Sequence, residues 1–383
     1  MMHIAFLTPE YPHEKVRHSA GIGTSIKNLA VALEQKGVTV SIIVYGQSED
    51  NVIKEQGITI HLVKKRKYKW ATWYFYRKYL ERYLNALTIS EKITLIEAPD
   101  WTGITAFMNL KAPLIIRFHG SDAYFCHLEN RKQKRKNFYF EKWGIGKAKA
   151  YIAPTAFAGK LTQEIFNIKD REIATIHNGI DTVKFRSSET IIAEKGLLLY
   201  IGTLIRKKGV LEFPGIMKYV MERNPEAHLI LIGNDSSDIK TGSASTWKLL
   251  ADSLDDKLSE RIQYLGQIPY EEVRSYIEKA QVCLFPTFAE TLGMVTIESM
   301  AMGKPVVNSN IGWANELIVD SESGFLVHPT DHKLYANRIV QLLESEEMRT
   351  AMGKKAIDRA QERFNITITV EQNIAFYKKI IGT

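Results

Sequence analysis

Short apolar runs alternate with helical patterns along this chain of 383 residues, and that alternation constrains the fold more than any other feature. In the first half, strands are predicted where apolar runs stop at turn residues: Ile4–Leu7, Val38–Val44, Leu114–Phe118, Tyr151–Ala153 and Ile173–Ile176. Between the first two runs, Ile26, Leu29 and Leu33 recur at helical spacing. Strands joined by helices in this order predict a parallel sheet covered by helices on both faces.

A second set of predicted strands begins near residue 196: Leu197–Ile201, His228–Ile232, Ile262–Leu265, Val282–Phe285 and Val306–Val307. Helical stretches, such as Glu271–Lys279 and Thr291–Met302, separate these strands. The length of the chain suits two or three domains. The sequence therefore predicts two successive doubly wound α/β domains.

The domain boundaries follow from this pattern. We place the first domain at residues 1–185 and the second at 186–365, with a polar linker near 182–195. Residues 366–383 are predicted to form a closing helix that returns to the first domain, with an apolar side formed by Ile374, Phe376, Tyr377, Ile380 and Ile381. Because ligands of such sheets bind at the carboxyl ends of the strands, the cleft between the two domains is the expected active site.

Composition excludes several classes of protein. Hydrophobic residues make up 45% and charged residues 25% of the chain, which is ordinary for a globular protein and excludes a disordered one. No run approaches the roughly 18 consecutive apolar residues of a membrane-spanning helix, and the first residues show no basic leader. Cys126 and Cys283 cannot form a disulfide framework, and no Cys/His cluster has metal-ligand spacing. We therefore expect a cytoplasmic protein without a bound metal or cofactor.

Positive charge is concentrated in the first half of the chain. Residues 1–185 hold 28 Lys and Arg against 17 Asp and Glu, whereas residues 186–383 hold 23 against 26. In Lys64–Lys78 and Arg131–Lys142, basic residues are interleaved with Tyr, Trp and Phe. This pattern fits a helix lying on an anionic membrane face, aromatic side chains packed inside the domain, or single-stranded nucleic acid binding. Because no RNA- or DNA-binding motif accompanies it, we do not expect a nucleic-acid partner.

The segment after the predicted strand Val282–Phe285 carries the strongest chemical signal. Glu290 precedes a helix that opens near Gly293, and Glu298 lies two turns inside that helix. A helix start offers free N–H groups and a positive dipole end, which suit a phosphate. The two carboxylates would repel a diphosphate and are better suited to accept hydrogen bonds from sugar hydroxyls. The alternative is that Glu298 is an ordinary surface carboxylate of the helix and Glu290 a partner of the positive end of the helix dipole.

Two acidic residues separated by seven others, followed by Ser-Met-Ala-Met-Gly-Lys-Pro-Val-Val, resemble the E-x7-E signature of retaining glycosyltransferases of family 4. Further elements resemble that family along nearly the whole chain: His119-Gly120-Ser121-Asp122, Asn178-Gly179-Ile180-Asp181 with Phe185, Gly202-Thr203-Leu204-Ile205-Arg206-Lys207-Lys208-Gly209, Gly312-Trp313-Ala314-Asn315-Glu316 and Ser323-Gly324-Phe325-Leu326-Val327. The resemblance implies the GT-B fold, in which two Rossmann-like doubly wound domains face each other across a cleft.

The resemblance also implies roles for the residues around the paired carboxylates. Glu290 would hold hydroxyls of the donor sugar, and Glu298 would hold the ribose of the nucleotide. The backbone N–H groups of Leu292, Gly293 and Met294 would bind the donor diphosphate.

Four residues outside that segment receive roles from the same resemblance. Lys208 would neutralise the diphosphate and stabilise the departing nucleotide, and His119 would lie beside the transferred sugar. Gly21 and Gly23 would let a loop of the first domain approach the diphosphate or the acceptor.

The chain departs from the family pattern at the position after Gly202. Thr203 stands where the family has Arg, so one expected cation is absent. Arg206 and Lys207 of the same loop are the candidate replacements. Arg206 is the better one because its planar guanidinium can bind two phosphate oxygens, with a plain surface arginine as the alternative. Trp313 also stands where many relatives have Gly. No Asp-x-Asp motif is present, and the resemblance implies no metal.

We therefore predict a retaining glycosyltransferase that moves a sugar from a nucleotide-sugar donor to a hydroxyl acceptor. A UDP-sugar is the first choice of donor and a GDP-sugar the second. The basic, aromatic stretch Lys64–Lys78 suggests a lipid-linked saccharide or another cell-surface glycan precursor as acceptor, and peripheral contact with the inner face of a membrane. Asp100 and Trp101, which follow a strand ending at Glu97, are candidate acceptor contacts, with simple packing of the Trp as the alternative.

Two other functions remain open on the same fold. A nucleotide-sugar epimerase or hydrolase would bind the donor similarly but would turn it over without an acceptor. A non-catalytic protein would bind the nucleotide sugar tightly without transferring it, and the Thr203 departure is the feature that suggests it.

Overall fold

The computed structural model describes residues 2–17, 19–187 and 192–382 of the chain. It divides into two compact units, which we call unit 1 (Met1–Gly179 with Ile366–Thr383) and unit 2 (Ile180–Asn365). Each unit is built on its own sheet.

Unit 1 contains a mostly parallel sheet of eight strands among the described residues. Its strands are β1 (His3–Thr8), β2 (Thr39–Gln47), β3 (Asn51–Glu55), β4 (Ile58–Lys64), β5 (Leu95–Pro99), β6 (Leu114–Arg117), β7 (Ala150–Ala153) and β8 (Ile173–Thr175). Its helices up to residue 179 are α1 (Gly21–Gln35), α2 (Thr72–Ser90), α3 (Asp122–Leu128), α4 (Arg135–Ile145) and α5 (Ala156–Phe166). The strand order is β3-β4-β2-β1-β5-β6-β7-β8, so the five strands predicted for this half are confirmed as β1, β2, β6, β7 and β8.

The strands β3 and β4 form an antiparallel hairpin at one edge of this sheet, which the sequence pattern did not predict. Their turn is two residues long, and both Gln56 and Gly57 have positive φ, at 49° and 77°. Such a turn matches the twist of the two strands, but its usual sequence signal is Asn-Gly or Asp-Gly. Gln-Gly is a weaker signal, which explains why the hairpin was missed.

Unit 2 contains a parallel sheet with the strand order β11-β10-β9-β12-β13-β14. Its strands are β9 (Leu197–Ile201), β10 (His228–Ile232), β11 (Ile262–Tyr264), β12 (Val282–Phe285), β13 (Val306–Asn308) and β14 (Phe325–Leu326). Its helices are α6 (Phe213–Arg223), α7 (Thr246–Ala251), α8 (Asp256–Ser259), α9 (Tyr270–Lys279), α10 (Met294–Ala301), α11 (Ala314–Leu317), α12 (His332–Glu344) and α13 (Glu346–Phe364). The five strands predicted for this half are confirmed as β9–β13.

The boundary between the units lies six residues earlier than the predicted end of the first domain at residue 185. Ile180 and Phe185 are buried in the hydrophobic core of unit 2, and the Ile180 N–H donates a hydrogen bond of 2.8 Å to the Phe364 carbonyl. The start of the predicted linker, 182–195, is therefore part of unit 2, and residues 188–191 of it lie outside the described residues. Phe185, an apolar residue inside a polar stretch, was the sequence signal for this earlier boundary.

The helix α14 (Ile366–Ile381) belongs to unit 1 and covers one face of its sheet together with α1. Alternate residues of β1 separate the two faces, since Ile4 and Phe6 join the core that contains α14, whereas Leu7 joins the core that contains α2. The apolar side predicted for this helix is confirmed, with Ile374, Phe376, Tyr377 and Ile380 all buried.

A buried polar network fixes α14 to the sheet of unit 1. Arg117, on β6, donates to Glu97, on β5, at 2.6 and 3.1 Å, and to the amide oxygen of Asn373 at 2.6 Å. The Tyr377 hydroxyl donates to the same Glu97 carboxylate at 2.6 Å. Arg117 and Glu97 are each only 3% exposed, so each charge depends on the other for compensation.

The stretch Lys64–Lys78 does not form the single helix that fits its interleaved basic and aromatic residues. It begins at the last residue of β4, continues as an irregular segment over residues 65–71 and ends inside α2. Closely spaced like charges in Lys64–Lys69 disfavour a helix there. Among the described helices, none combines the length and the apolar character needed to cross a bilayer.

Removing one side of the buried ion pair should destabilise unit 1. We expect Arg117→Met to lower the free energy of unfolding by roughly 3–5 kcal/mol, because it leaves the Glu97 carboxylate buried without its cation. The control is Lys379→Met on α14, which removes the exposed ion pair between Lys379 and Glu172 (2.7 Å). This variant should lower the free energy of unfolding by less than about 1 kcal/mol. Thermal and urea unfolding measure both, and equal losses in the two variants would contradict the assignment.

Candidate functional site

The candidate site of unit 2 lies where the strand order reverses, at the carboxyl ends of the neighbouring parallel strands β9 and β12. The loop after β9 approaches the loop after β12 closely, because the Lys207 carbonyl accepts hydrogen bonds from the N–H groups of Phe288 (2.8 Å) and Ala289 (3.2 Å). Gly209 has a φ of 72°, and a Cβ at this position would overlap the Pro286 carbonyl. Only glycine therefore permits this approach of the two loops.

These loop contacts bring Lys208 and Glu290 together as an ion pair, although they are 82 residues apart in the sequence. Glu290 also accepts a hydrogen bond of 3.0 Å from the Thr291 N–H. Burial raises the pKa of the Glu290 carboxyl, but the Lys208 ammonium and the hydrogen bonds outweigh burial and hold that pKa below its usual value. Glu290 is therefore a carboxylate at neutral pH, and it can accept but not donate hydrogen bonds.

The helix α10 begins at Met294, next to the opening predicted near Leu292-Gly293 and three residues after the start of the helical stretch Thr291–Met302. Gly293 forms its N-cap with a φ of 96°, a conformation that favours glycine, and no described side chain caps the first turn. The first turn also carries no acidic residue. The backbone N–H groups at this end, including that of Met294, are therefore suited to an anion.

A narrow pocket lies between this helix start and the two loops, with a free volume of about 10 Å³. It is lined by Tyr200, Ile201, Lys208, Phe285, Thr287, Glu290, Gly293, Val295, Thr296, Asn308 and Trp313. The buried Leu292 is not in the lining, so its side chain packs in the core. Because the Lys208–Glu290 contact closes this space, a ligand must separate the two side chains to enter.

Glu298 is 2% exposed and does not line the pocket. The alternative of an ordinary surface carboxylate is therefore wrong for this residue. A carboxylate is rarely buried to this degree without a specific partner. The ribose contact that the family resemblance implies stays a prediction.

The guanidinium of Arg206 is engaged inside unit 2. Its Nε and Nη2 donate to the two carboxylate oxygens of Asp238, each at 2.8 Å, and Asp238 also accepts from the N–H and hydroxyl of Thr241. The hydrogen bond from Arg206 is the main reason why the pKa of Asp238 lies far below its usual value. Arg206 thus has an internal partner for its guanidinium, and its role as the replacement for the missing cation at Thr203 stays a prediction.

In unit 1, His119 and Asp100 lie at the carboxyl ends of the neighbouring strands β6 and β5. The Asp100 carboxylate, which is 1% exposed, accepts a hydrogen bond of 2.9 Å from the backbone N–H of His119. Burial raises the pKa of Asp100 to about 7. Burial, and then the nearby charge of Arg117, lowers the pKa of His119 to about 3, so its imidazole is neutral at neutral pH.

The other predicted residues of unit 1 have different surroundings. Gly21 opens α1 with free space around it, whereas Gly23 packs against the backbone of Glu10 and Tyr11, where a Cβ would lie about 3 Å from both. The Gly23 N–H donates to the Glu10 carboxylate at 2.8 Å, so an internal anion already contacts this helix start. Trp101 is 42% exposed, in contrast to the buried Asp100 beside it.

Sequence reasoning missed three residues that shape these sites. Tyr200 lines the pocket of unit 2 and donates through its hydroxyl to the Thr203 carbonyl at 3.0 Å, yet in sequence it is one apolar residue of a strand. Asp238 lies 32 residues from Arg206, without a motif that links them. Glu10 follows β1 by two residues, and its place in a loop after a strand was a usable signal.

Two family models match the chain. One, described as "Glycosyl transferases group 1", matches residues 181–359, and the other, described as "Glycosyltransferase Family 4", matches residues 19–184. The chain is also 23% identical to the "Uncharacterized glycosyltransferase MJ1607" of Methanocaldococcus jannaschii, over 98% of each chain.

Solved structures resemble the whole chain. Sucrose-phosphate synthase from Thermosynechococcus elongatus matches with a TM-score of 0.82 and 20% identity over 100% of both chains. Alr3699/HepE of Anabaena, solved in complex with UDP-glucose, matches with a TM-score of 0.73 and 18% identity over 99% of this chain and 100% of that one. These likenesses confirm the predicted α/β fold class, GT-B.

The raised pKa of Asp100 should appear in the pH dependence of stability. The folded protein keeps this proton up to about pH 7, whereas the unfolded chain loses it near pH 4, so wild-type stability falls as the pH rises through that range. Asp100→Asn stays neutral and keeps an oxygen for the His119 N–H.

The free energy of unfolding of Asp100→Asn, minus that of wild type, should therefore increase by roughly 2–4 kcal/mol as the pH rises from about 4.5 to about 8. Urea unfolding at these pH values measures the gain. The exposed Glu164→Gln on α5 is the control and should show no such trend. A difference between Asp100→Asn and wild type that does not change with pH would show that Asp100 does not titrate in the folded protein.

Proposed function

The chain belongs to the group 1 glycosyltransferases, and we propose that it transfers a sugar from a UDP-sugar to a hydroxyl acceptor with retention of anomeric configuration and without a metal. The observation that carries this proposal is the Lys208–Glu290 pair beside the start of α10. The cation and the backbone N–H groups suit the diphosphate of a nucleotide-sugar donor, and the carboxylate suits the hydroxyls of its sugar. A GDP-sugar is the second choice of donor.

The donor diphosphate would bind Lys208 and the backbone N–H groups of Leu292, Gly293 and Met294. Both groups carry positive charge, from an ammonium and from the helix dipole, and backbone hydrogen bonds join the two loops that carry them. An arriving diphosphate competes with Glu290 for Lys208. When the diphosphate replaces Glu290 as the partner of Lys208, the ammonium charge stays compensated and the pocket opens.

Glu290, released from Lys208, would accept hydrogen bonds from hydroxyls of the donor sugar. Its lowered pKa keeps it ionised, so it is unsuited to act as a general acid. We assign the ribose of the nucleotide to Glu298, the second carboxylate of the paired signature, which is buried inside α10.

The proposed transfer breaks the bond between the sugar C1 and the oxygen of the β-phosphate, and it forms a bond between C1 and the acceptor oxygen on the same face. The acceptor proton moves to the departing phosphate oxygen, so no separate protein base is required. Negative charge grows on the phosphate as the bond breaks, and Lys208 and the start of α10 are placed to stabilise it.

A second candidate is a protein that binds the nucleotide sugar without transferring it. One observation favours this candidate, namely that Thr203 replaces the family's cation while Arg206 is occupied by Asp238. Lys208 is then the cation that lines the described pocket. An epimerase or hydrolase of the same fold would instead turn the donor over without an acceptor.

Peripheral membrane contact is part of the proposal and rests on an exposed surface of unit 1. This surface, the aromatic-basic patch, consists of Lys64–Lys69, Trp70, Trp73, Phe75, Tyr139 and Trp143. Trp70 is 75% exposed, and no described carboxylate forms an ion pair with Lys65 or Lys67. Exposed indole rings beside uncompensated ammonium groups suit the interface of an anionic bilayer. A lipid-linked acceptor would be presented at such a surface.

Donor binding can be tested by thermal unfolding with UDP-, GDP-, ADP- and dTDP-sugars. A ligand at 100 times its Kd adds about 2.7 kcal/mol to the native state and should raise the Tm of the wild type by several degrees. Lys208→Ala should weaken nucleotide binding roughly tenfold or more, because it removes a charge-assisted contact to the diphosphate. Glu290→Gln should keep UDP binding and lose the preference among UDP-sugars.

The control for donor binding is Glu344→Gln, which removes an exposed ion pair with Arg223 in the same unit and should behave as wild type. If no nucleotide raises the Tm of the wild type, the donor site is wrongly assigned. A Tm increase without turnover of any acceptor would support the non-catalytic candidate, and turnover of the donor alone would support an epimerase or hydrolase.

Membrane contact can be tested by co-sedimentation with vesicles of equal parts phosphatidylglycerol and phosphatidylcholine. The double variant Lys65→Gln, Lys67→Gln should bind roughly 30-fold more weakly than wild type, at about 1 kcal/mol for each positive charge removed. Trp70→Ala should also weaken binding, whereas Tyr219→Ala, an exposed aromatic residue on α6, should not. Equal binding to vesicles of phosphatidylcholine alone would refute the electrostatic part of this proposal.

A further inference from the structure

A second loop of unit 2 borders the turn that carries Lys208, and it has no part in the proposed donor contacts. This loop, the β10–α7 loop, comprises residues 233–245 between β10 and α7. The N–H and the carbonyl of Leu204 form hydrogen bonds of 2.7 and 3.1 Å with its backbone. The β10–α7 loop is therefore joined to the chain just before the Lys208 turn, residues 205–209.

A buried carboxylate of the β10–α7 loop also holds the Lys208 turn itself, through Arg206. Asp238 is 1% exposed, and its two oxygens accept hydrogen bonds from Nε and Nη2 of Arg206, each at 2.8 Å. Two parallel hydrogen bonds from a planar guanidinium fix its orientation as well as its distance. The position of Arg206, two residues before Lys208, is thus set by a carboxylate on another loop.

Hydrogen bonds on both sides of Asp238 fix the β10–α7 loop. The Asp238 N–H donates to the Ser243 carbonyl, and the Gly242 N–H donates to the Asp238 carbonyl, each at 2.9 Å. Gly242 has a φ of 77°, a conformation that favours glycine. Nearer β10, the Asp235 carboxylate accepts from the N–H of Thr246, the first residue of α7, at 2.9 Å. Arg206 is therefore bonded to a carboxylate that the backbone of unit 2 holds in place.

This pair of side chains gains importance when the donor binds. In the proposed function, the diphosphate displaces Glu290 from Lys208, so the Lys208 turn loses one of the contacts that hold it. Neither Arg206 nor Asp238 is among the described residues that line the donor pocket. Their two hydrogen bonds can therefore persist while the ligand occupies the pocket, and they hold the turn from the side opposite to the lost contact in sequence.

We propose that Asp238 is a positioning residue for sugar transfer, which acts through the guanidinium of Arg206 to hold the turn where Lys208 meets the donor diphosphate. The proposal rests on the proposed function and adds to it a residue outside the donor pocket. It differs from direct binding of a phosphate by Arg206, because the ion pair with Asp238 would then compete with the ligand instead of supporting it.

Titration calorimetry with UDP and with GDP distinguishes these two roles, because charge and position act in different directions. Arg206→Gln removes a positive charge near the donor, and Asp238→Asn removes a negative one. A direct or purely electrostatic role of Arg206 therefore predicts weaker binding by the first variant and tighter binding by the second. Positioning predicts that both variants bind about fivefold or more weakly than wild type.

Arg206→Lys keeps the charge but loses the two parallel hydrogen bonds, so positioning predicts that it also binds about fivefold or more weakly. The Arg206 side chain is 36% exposed, and this variant should fold as wild type does. The matched control is Arg223→Lys on α6. Arg223 also contacts both oxygens of one carboxylate, that of Glu344, at 3.0 and 3.3 Å, and its variant should bind as wild type does.

A combined variant separates positioning from a general distortion of the site. Because Arg206 is proposed to act through Lys208, adding Arg206→Gln to Lys208→Ala should weaken nucleotide binding no further than Lys208→Ala alone. A distortion of the whole pocket would instead add to the loss.

Tighter binding by Asp238→Asn together with weaker binding by Arg206→Gln would overturn the proposal and show that Arg206 acts by its charge. Unchanged binding by Asp238→Asn and Arg206→Lys, with weaker binding by Lys208→Ala, would also overturn it and leave the donor site supported. If neither nucleotide binds to wild type, the donor assignment fails and the proposal fails with it.

Discussion

The parallel pairing of β9 with β12 is the constraint on which the candidate donor pocket depends. It places two loops that are about 80 residues apart at the same edge of one sheet, and the Lys207 carbonyl then joins them through two backbone hydrogen bonds. The side chains of Lys208 and Glu290 are therefore brought into contact by the backbone of these two loops. Pre-organisation of this kind is what electrostatic stabilisation of a developing charge requires, because little reorganisation energy is then needed during the reaction.

Sequence reasoning predicted the strands that carry the sites, because short apolar runs between turn residues mark buried parallel strands clearly. It placed Lys208 and Glu290 through a family resemblance rather than through geometry. It placed the opening of α10 near Leu292-Gly293, and the structure has Gly293 as the N-cap of that helix. It could not foresee that Asp238 occupies Arg206, since no local pattern connects residues 32 positions apart.

Buried ionisable groups at neighbouring positions of unit 1 have different kinds of hydrogen-bond partner. Arg117 and Glu97 compensate each other directly, whereas Arg77 is solvated by backbone carbonyls and Asp100 by a backbone N–H. Such groups are costly to bury, and their partners decide whether the charge persists. The Arg117–Glu97 pair holds α14 on the sheet, whereas Arg77 and Asp100 each fix a loop at the carboxyl edge of the sheet. The most polar parts of this interior thus lie beside the residues with proposed roles.

The return of α14 to unit 1 has a consequence for synthesis of the chain on the ribosome. Arg117 and Glu97 are made early, but Asn373 and Tyr377, which complete their network, emerge only after all of unit 2. Unit 2 is encoded by one uninterrupted segment and can fold as soon as it leaves the exit tunnel. The sheet of unit 1 must meanwhile wait with part of one face uncovered, so unit 1, although most of it is translated before unit 2, is completed after unit 2.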